Sequence, residues 1–309
     1  MRLCLFEPLT APGTPEVGLV VPTGVVAVEP DGGSSPGAGH LRHLIAHFDE
    51  LRPRLEELET AASSVAFEDL RFLPPLSTPV KILCSMRVAN VDKEGADELH
   101  LFLKSPGSAI GDGGEVILPR MEEAEIFTHN ACLAVVTAGR GRSVPAADWR
   151  DAVFGYTTMV DVTARNASMS RWKGGKSTLG SSCDTFGPIG PWIVPREDLD
   201  ESGFEVELSC GGEVRQTARL DRLDERIGQA IELASTVMTL LPGDVIAIDC
   251  TTEGQGPLQD GDLLELDVSQ VGRLSVNVTD PMHRTWDRTV RVSPGSDSTD
   301  VAELLRSTF

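Results

Sequence analysis

The side chains able to do chemistry lie scattered along this chain of 309 residues. Six cysteines, Cys4, Cys84, Cys132, Cys183, Cys210 and Cys250, stand singly, with no Cys-x-x-Cys pair. That spacing signals neither a zinc site nor a redox couple; isolated thiols suit small apolar core positions in a reducing cytoplasm. Cys132 and Cys183 are the nucleophile candidates, yet no motif places a histidine to take either proton, which favours a core role for both. The stretch SMRVANVDKEGADEL carries Asp92 and Glu94. Either carboxylate becomes a usable base if its surroundings exclude water and raise its pKa; otherwise the stretch is a solvated acidic loop. Lys104 closes the apolar string HLFLK, Lys173 and Lys176 fall in RWKGGKSTLG, and Asp161 interrupts MVDVTARN.

The elements that must position these groups are mostly strands. RLCLF, EVGLVV and GVVAVEP are short apolar, β-branched runs divided by Pro and Gly. After a Gly/Ser/Pro loop the pattern turns helical from Leu41 to Ala62, with Leu44, Phe48, Leu51, Leu55 and Leu58 at spacings of three and four. From Val80 onward many short strands follow, among them VKILCS, HLFLK, EVILP, CLAVVTA, GYTTMVDVT, GPWIV, FEVELSCGG, DVIAIDC and LLELDVSQVG. Two helices interrupt them, one over Ala146–Val153 and one over Leu223–Leu241 with Ile227, Ile231, Ala234, Val237 and Met238 as its apolar stripe. The pattern predicts a β-rich α+β fold, with a small N-terminal domain over 1–78, a main domain over 79–282 and a polar C-terminal extension over 283–309. A short helix is predicted in that extension at Val301–Arg306.

Composition narrows the function classes. Lys and Arg number 27 against 47 Asp and Glu, a net charge of −20. Such a surface repels phosphate backbones and anionic lipid, so neither nucleic acid nor a membrane is an expected partner. No apolar run reaches the roughly 20 residues needed to span a bilayer, and the start MRLCLFEPLTAPG lacks the apolar core of a signal peptide. The expected location is therefore the cytoplasm.

Several strings fall into one order. PVKILC, LFLKSPGSAIG, EVILP, CLAVVTAGRGRSVPAADWRDAVFGYTTMVDVTARN, CDTFGPIGPWIV, GGEVRQ, LLPGDVI and LQDGDLLELDVSQVG together resemble the fumarylacetoacetate hydrolase (FAH) superfamily over residues 1–280. The resemblance implies an FAH-type mixed β-roll core that dimerises. It also implies a small-molecule substrate: a 1,3-dicarbonyl, an acylpyruvate or another enolisable carbonyl compound. Members of the family use Mg²⁺ or Ca²⁺ held by a Glu-x-Glu strand and an Asp, with a His–Glu base and a lysine.

Residue by residue, the resemblance leaves only part of that equipment. Asp161 matches the metal-site Asp, Lys104 a substrate-pocket lysine and Arg165 the Arg of Thr-Ala-Arg. The register of LAVVTAG sets Asn130 and Cys132 where the two glutamates stand, and a neutral amide and a thiol are poor ligands for a hard cation. Glu123 and Glu125 copy the motif one strand too early, and a soft site from His129, Cys132 and Asp161 is disfavoured because His129 faces away from Asn130. Asp92 and Glu94 fall where the base pair belongs, Ser181 where the family lysine belongs, with Lys176 as its displaced substitute. The anion-cradling turn becomes IDCTTEG, where Asp249 and Glu253 oppose a dicarboxylate. The reading is a cofactor-free enzyme using Asp161, Asp92, Glu94, Lys104 and Lys176 for acid–base chemistry, with Asn130, Cys132, Arg165 and Ser181 contacting substrate. The alternatives are a non-catalytic binding protein of this fold and a conventional divalent-metal hydrolase.

Overall fold

The computed structural model describes residues 1–30, 37–61, 63–76, 81–89, 97–121, 124, 126–165, 179–251 and 253–289. The chain opens with β1 (Leu3–Pro8), β2 (Glu16–Val21) and β3 (Gly24–Ala27), then α1 (Ala38–Ala46) and α2 (Phe48–Ala61). Next come β4 (Leu70–Leu73), β5 (Ile82–Ala89), β6 (Asp97–Lys104), β7 (Ala109–Ile110), β8 (Glu115–Ile117), β9 (Ile126–Thr128), β10 (Ala131–Thr137), β11 (Val153–Val160) and β12 (Thr163–Arg165). The last part is β13 (Gly187–Pro195), β14 (Phe204–Cys210), β15 (Glu213–Leu220), α3 (Leu223–Val237), β16 (Val245–Asp249), β17 (Leu263–Val268) and β18 (Gly272–Thr279).

Among the described residues the strands form three sheets. An 11-stranded sheet runs β3-β2-β1-β13-β11-β10-β16-β5-β6, with β4 on β1 and β7 on β13. A five-stranded sheet runs β15-β14-β17-β18-β8, and β9 pairs with β12 alone. The architecture is the β-rich α+β fold that the strand pattern predicts. The N-terminal strands join the large sheet directly, Leu3 pairing with Ile193.

Burial explains the two kinds of strand text. β10 reads ACLAVVT, apolar up to its last residue, because both of its faces are covered. Leu133 and Val135 enter one core, beneath α3 and the five-stranded sheet. Cys132, Ala134 and Val136 enter the other, beneath α1 and α2. β14 reads FEVELSC because only one face is covered: Phe204, Val206, Leu208 and Cys210 are buried while Glu205 and Glu207 face solvent.

Three expectations change. The helix predicted from Leu41 is two helices that part at His47, whose φ of −124° leaves the helical region. The Ala146 helix is a 3-10 segment, Ala146–Ala152, with a kink at Asp148. The long helix ends at Val237 and not at Leu241, because Leu240 leaves to exchange backbone hydrogen bonds with Gly141 at 2.8 and 3.1 Å. Val237 is consequently exposed rather than part of the buried stripe.

Candidate functional site

Sheet register assembles the first part of the site. The Asn130 N–H donates to the Asp161 carbonyl at 3.0 Å, and the Asp161 N–H returns the bond to Asn130 at 2.9 Å. Cys132 then pairs with Met159 one step along β10 and β11. Paired residues share a face, so Asn130, Cys132 and Asp161 start from one side of the sheet.

Lys104, at the end of β6, reaches into this side. Its Nζ donates to Asp161 Oδ1 at 2.7 Å, to the Val162 carbonyl at 3.2 Å and to the Ser181 carbonyl. An ammonium has three donors, and all three are engaged inside the protein. The Lys104 side chain is fully buried, whereas the Asp161 side chain keeps 11% exposure. Each charge compensates the other's loss of water. Ser181 contributes its backbone to this knot and shares a 3.1 Å hydroxyl contact with Thr163.

The thiols around this pair are held neutral. Burial pushes the Cys132 thiol well up, and the Asp161 charge pushes it further. Cys84 behaves in the same way. Burial alone dominates at Cys250, whose pKa is pushed up to about 12. Cys132 donates weakly to the Asn130 carbonyl at 3.7 Å. Cys183, the one half-buried cysteine, is also shifted upward by burial. None of the six is an activated thiolate.

Arg165 turns toward the protein. Its Nε donates to Thr128 Oγ1 at 3.1 Å and its Nη2 to Gln255 Oε1 at 2.6 Å. Burial lowers its pKa while Asp161 opposes the shift. The Asn130 amide is fixed from behind by Gln216, whose Nε2 donates to Asn130 Oδ1 at 3.2 Å and to the Glu253 carbonyl at 2.9 Å. Gln216 Oε1 meanwhile accepts from the Ala131 N–H at 3.0 Å and lies 3.3 Å from His129 Nδ1. Residue reasoning gave Gln216 no role, although the string GGEVRQ ends on it.

A second acid stands one strand away. Asp249 pairs in register with Cys132 and is 1% exposed. Its Oδ1 accepts from Ser85 Oγ at 2.7 Å, and Arg226 donates to its carbonyl at 2.6 Å. Its Oδ2 is buried with no hydrogen-bond partner among the described residues. The turn carrying Asp249 is thus bound into the sheet. Asp92, Glu94, Lys173, Lys176, Glu123 and Glu125 lie outside the described residues, so their placement relative to Asp161 is not part of this geometry. Two surface concavities, of about 640 and 470 Å³, lie elsewhere: one on the outer face of the five-stranded sheet beside Glu207 and Asp267, the other between the α1–α2 corner and Phe154.

Comparison with known proteins defines the class. Residues 82–279 match the fumarylacetoacetate (FAA) hydrolase C-terminal family, and this chain belongs to that family. It is 30% identical over 253 residues to a maleylpyruvate hydrolase of Aquipseudomonas alcaligenes, covering 76% of this chain and 85% of that one. A crystal structure of maleylpyruvate hydrolase from Sphingobium sp. SYK-6, in complex with manganese(II) ion and pyruvate, superposes with a TM-score of 0.75. It is 28% identical and covers 91% of this chain and 99% of its own. A 5-carboxymethyl-2-hydroxymuconate delta-isomerase from Mycobacterium smegmatis gives a TM-score of 0.67 at 28% identity, covering 91% and 100% of the two chains. Hydrolases and isomerases therefore share this fold.

The described residues around Asp161 do not fit the divalent ion that the fold family implies. Asn130 and Cys132, which the resemblance sets against the family's two glutamates, are an amide already bonded to Gln216 and a thiol pushed toward its protonated form. The Asp161 carboxylate is already paired with an ammonium at 2.7 Å. A hard cation needs several anionic oxygens at about 2.0–2.6 Å, and one compensated carboxylate does not offset its dehydration. Among the described residues no three His, Cys, Asp or Glu side chains are grouped to hold a metal.

Proposed function

We propose that this chain is an FAH-family enzyme that acts on an enolisable carbonyl compound of the 1,3-dicarbonyl kind by acid–base catalysis that needs no divalent ion. The observation that carries the reading is the Lys104–Asp161 pair, 2.7 Å apart, at the aspartate that the resemblance implies is the family's metal-site Asp. The resemblance implies a metal and a lysine together there; with the ion's ligands replaced, the Lys104 ammonium is the positive charge left to act in this proposal. An ammonium fixed in a dry site can stabilise charge growing on an enolate oxygen through its field, without donating a hydrogen bond. Asp161, with Oδ1 held by Lys104 and part of its carboxylate exposed, is the acid–base group on this side. Asp92 and Glu94 are proposed as the base that takes the carbon-bound proton, and Lys176 as the substitute for the family lysine that Ser181 does not supply. Asn130, Cys132, Arg165 and Ser181 form the wall against the substrate. Isomerisation, dehydration and aldol-type cyclisation begin with such a proton transfer, whereas hydrolytic C–C cleavage begins with water adding to a carbonyl and ends with a proton returned to the released enolate carbon.

The protein is further proposed to be a homodimer of the cytoplasm. Family resemblance supports the first, and six cysteines with no disulfide support the second. Among the described residues no helix is long and apolar enough to cross a membrane.

A second reading has its own observation. All three Lys104 donors are engaged within the protein, as a purely structural knot would have them. A non-catalytic binding protein of this fold would look so. The deciding experiment is solvent-deuterium incorporation into acetylpyruvate and acetylacetone, followed by NMR with EDTA present. Incorporation above buffer background that Asp161→Asn removes supports the enzyme. Background rates alone support the binding protein. Exchange that appears only with added Mg²⁺ or Mn²⁺ sinks the metal-free reading.

A further inference from the structure

The family match ends at residue 279, yet the chain continues, and its next ten residues are bolted to the β-roll. Asp280 is fully buried. Its carboxylate receives Arg284 Nε at 2.9 Å and Nη2 at 2.8 Å, a two-pronged charge-assisted bond. The same guanidinium donates to the carbonyls of Met121 at 2.9 Å and Pro119 at 3.0 Å and lies 4.7 Å over the Phe127 ring. Trp286 meets Phe127 edge-on at 5.9 Å, and its carbonyl accepts from Gln259 Nε2 at 2.7 Å. Arg288 then forks onto the buried Asp262, at 2.8 and 2.5 Å. Two arginine forks and an indole in ten residues exceed what a solvated tail needs.

The anchor points lead to the candidate site. Phe127 lies in β9, two residues before His129 and three before Asn130. The Arg288 carbonyl accepts from Arg215 Nη1 at 2.8 Å, and the Arg215 side chain is 2% exposed. Arg215 packs on the 254–256 turn so closely that a Cβ on Gly256 would lie 1.6 Å from the guanidinium. Gln255 of that turn holds Arg165. The neighbour of Arg215 on β15 is Gln216, which holds Asn130 and the Ala131 N–H. From Arg288 to Asn130 or to Arg165 the path is therefore a few direct contacts.

We infer that residues 280–289 form a clamp that fixes the wall of the site, with Arg284 and Arg288 as positioning residues for Asn130 and Arg165. That Asn130 and Arg165 wall a substrate site rests on the function proposed above; the mechanical link to them does not. The Ala131 amide reports on that link directly, because its hydrogen is held by the Gln216 side chain at 3.0 Å. The test is hydrogen exchange by mass spectrometry on the full chain without substrate, comparing wild type with Arg288→Ala and Arg288→Lys. Exchange in peptides covering 126–131 and 253–258 should rise at least tenfold in Arg288→Ala, with β1–β3 unchanged, and Arg288→Lys should fall between. If those peptides keep wild-type exchange, or if every strand loosens equally, the clamp has no specific hold on the site and the inference fails. Should Arg288→Ala not fold, Gln259→Ala removes one bond to the Trp286 carbonyl and is read in the same way. Because no turnover is measured, failure of the catalytic reading leaves this outcome untouched.

Discussion

Lys104 and Asp161 are 57 positions apart in sequence, and their charges meet at 2.7 Å inside the protein. The ammonium is fully buried and also caps the carbonyls of Val162 and Ser181. Removing one partner leaves the other charge in a poorly solvated place. Asp161→Ala should therefore cost about 3–5 kcal/mol in urea unfolding, while a double change to Met at 104 and Leu at 161 should recover much of that loss. Additive losses would show that the two charges are not coupled.

Divalent ions should leave the fold nearly unmoved. A ligand that binds only the native state raises the melting temperature by mass action. Mg²⁺, Ca²⁺ or Mn²⁺ at millimolar concentration should shift it by less than about 1 °C, since the donor set at Asn130, Cys132 and Asp161 is unsuited to them. A rise of several degrees that Asp161→Ala removes would place an ion at this aspartate.

Thiol labelling separates the core reading of the cysteines from a nucleophilic one. Cys183 is half-buried and the other five are buried. Under native conditions Ellman's reagent should modify Cys183 alone, slowly. Burial has moved its thiol upward, so the rate should still be climbing above the ordinary thiol value of about 8.5. Rapid modification of Cys132 at neutral pH would mean an activated nucleophile in the site.

The acid limb of stability should carry the signature of Asp280. Burial pushes this carboxyl up, but the Arg284 side chain and the Met282 and Arg284 amides outweigh it and hold the folded value below the usual range. A depressed folded value means stability that is complete above the unfolded value, about 3.9, and lost as pH falls through the folded one. Asp280→Asn should destabilise the protein at pH 7 and flatten the melting-temperature curve below about pH 4. An unchanged acid limb in that variant would put the pH dependence elsewhere.

Dimerisation is checked most simply. Light scattering at micromolar concentration should give twice the mass of one chain, which is 33.1 kDa. A single-chain mass would remove the homodimer from the proposal.

Sequence alone determined the class and much of the register. Apolar runs of two textures, continuous as in β10 and alternating as in β14, mark strands covered on two faces or on one, because side chains alternate across a sheet. The order of strings pointed to the family; that Asn130, Cys132 and Asp161 start from one face of the sheet is set by the pairing of β10 with β11. Tertiary structure decided which partner each group takes. Nothing in HLFLK shows that Lys104 meets Asp161, since Lys104 ends β6 and Asp161 follows β11, elements brought together only by the sheet. The Asp280–Arg284 pair is local, four residues apart, but nothing in the polar string shows that the two arginines are clamps, because their other partners come from Pro119, Phe127 and Asp262, outside that string. Local pattern governs which face of a strand is buried; the pairing of charges across the core is a property of closure, and only the folded chain contains it.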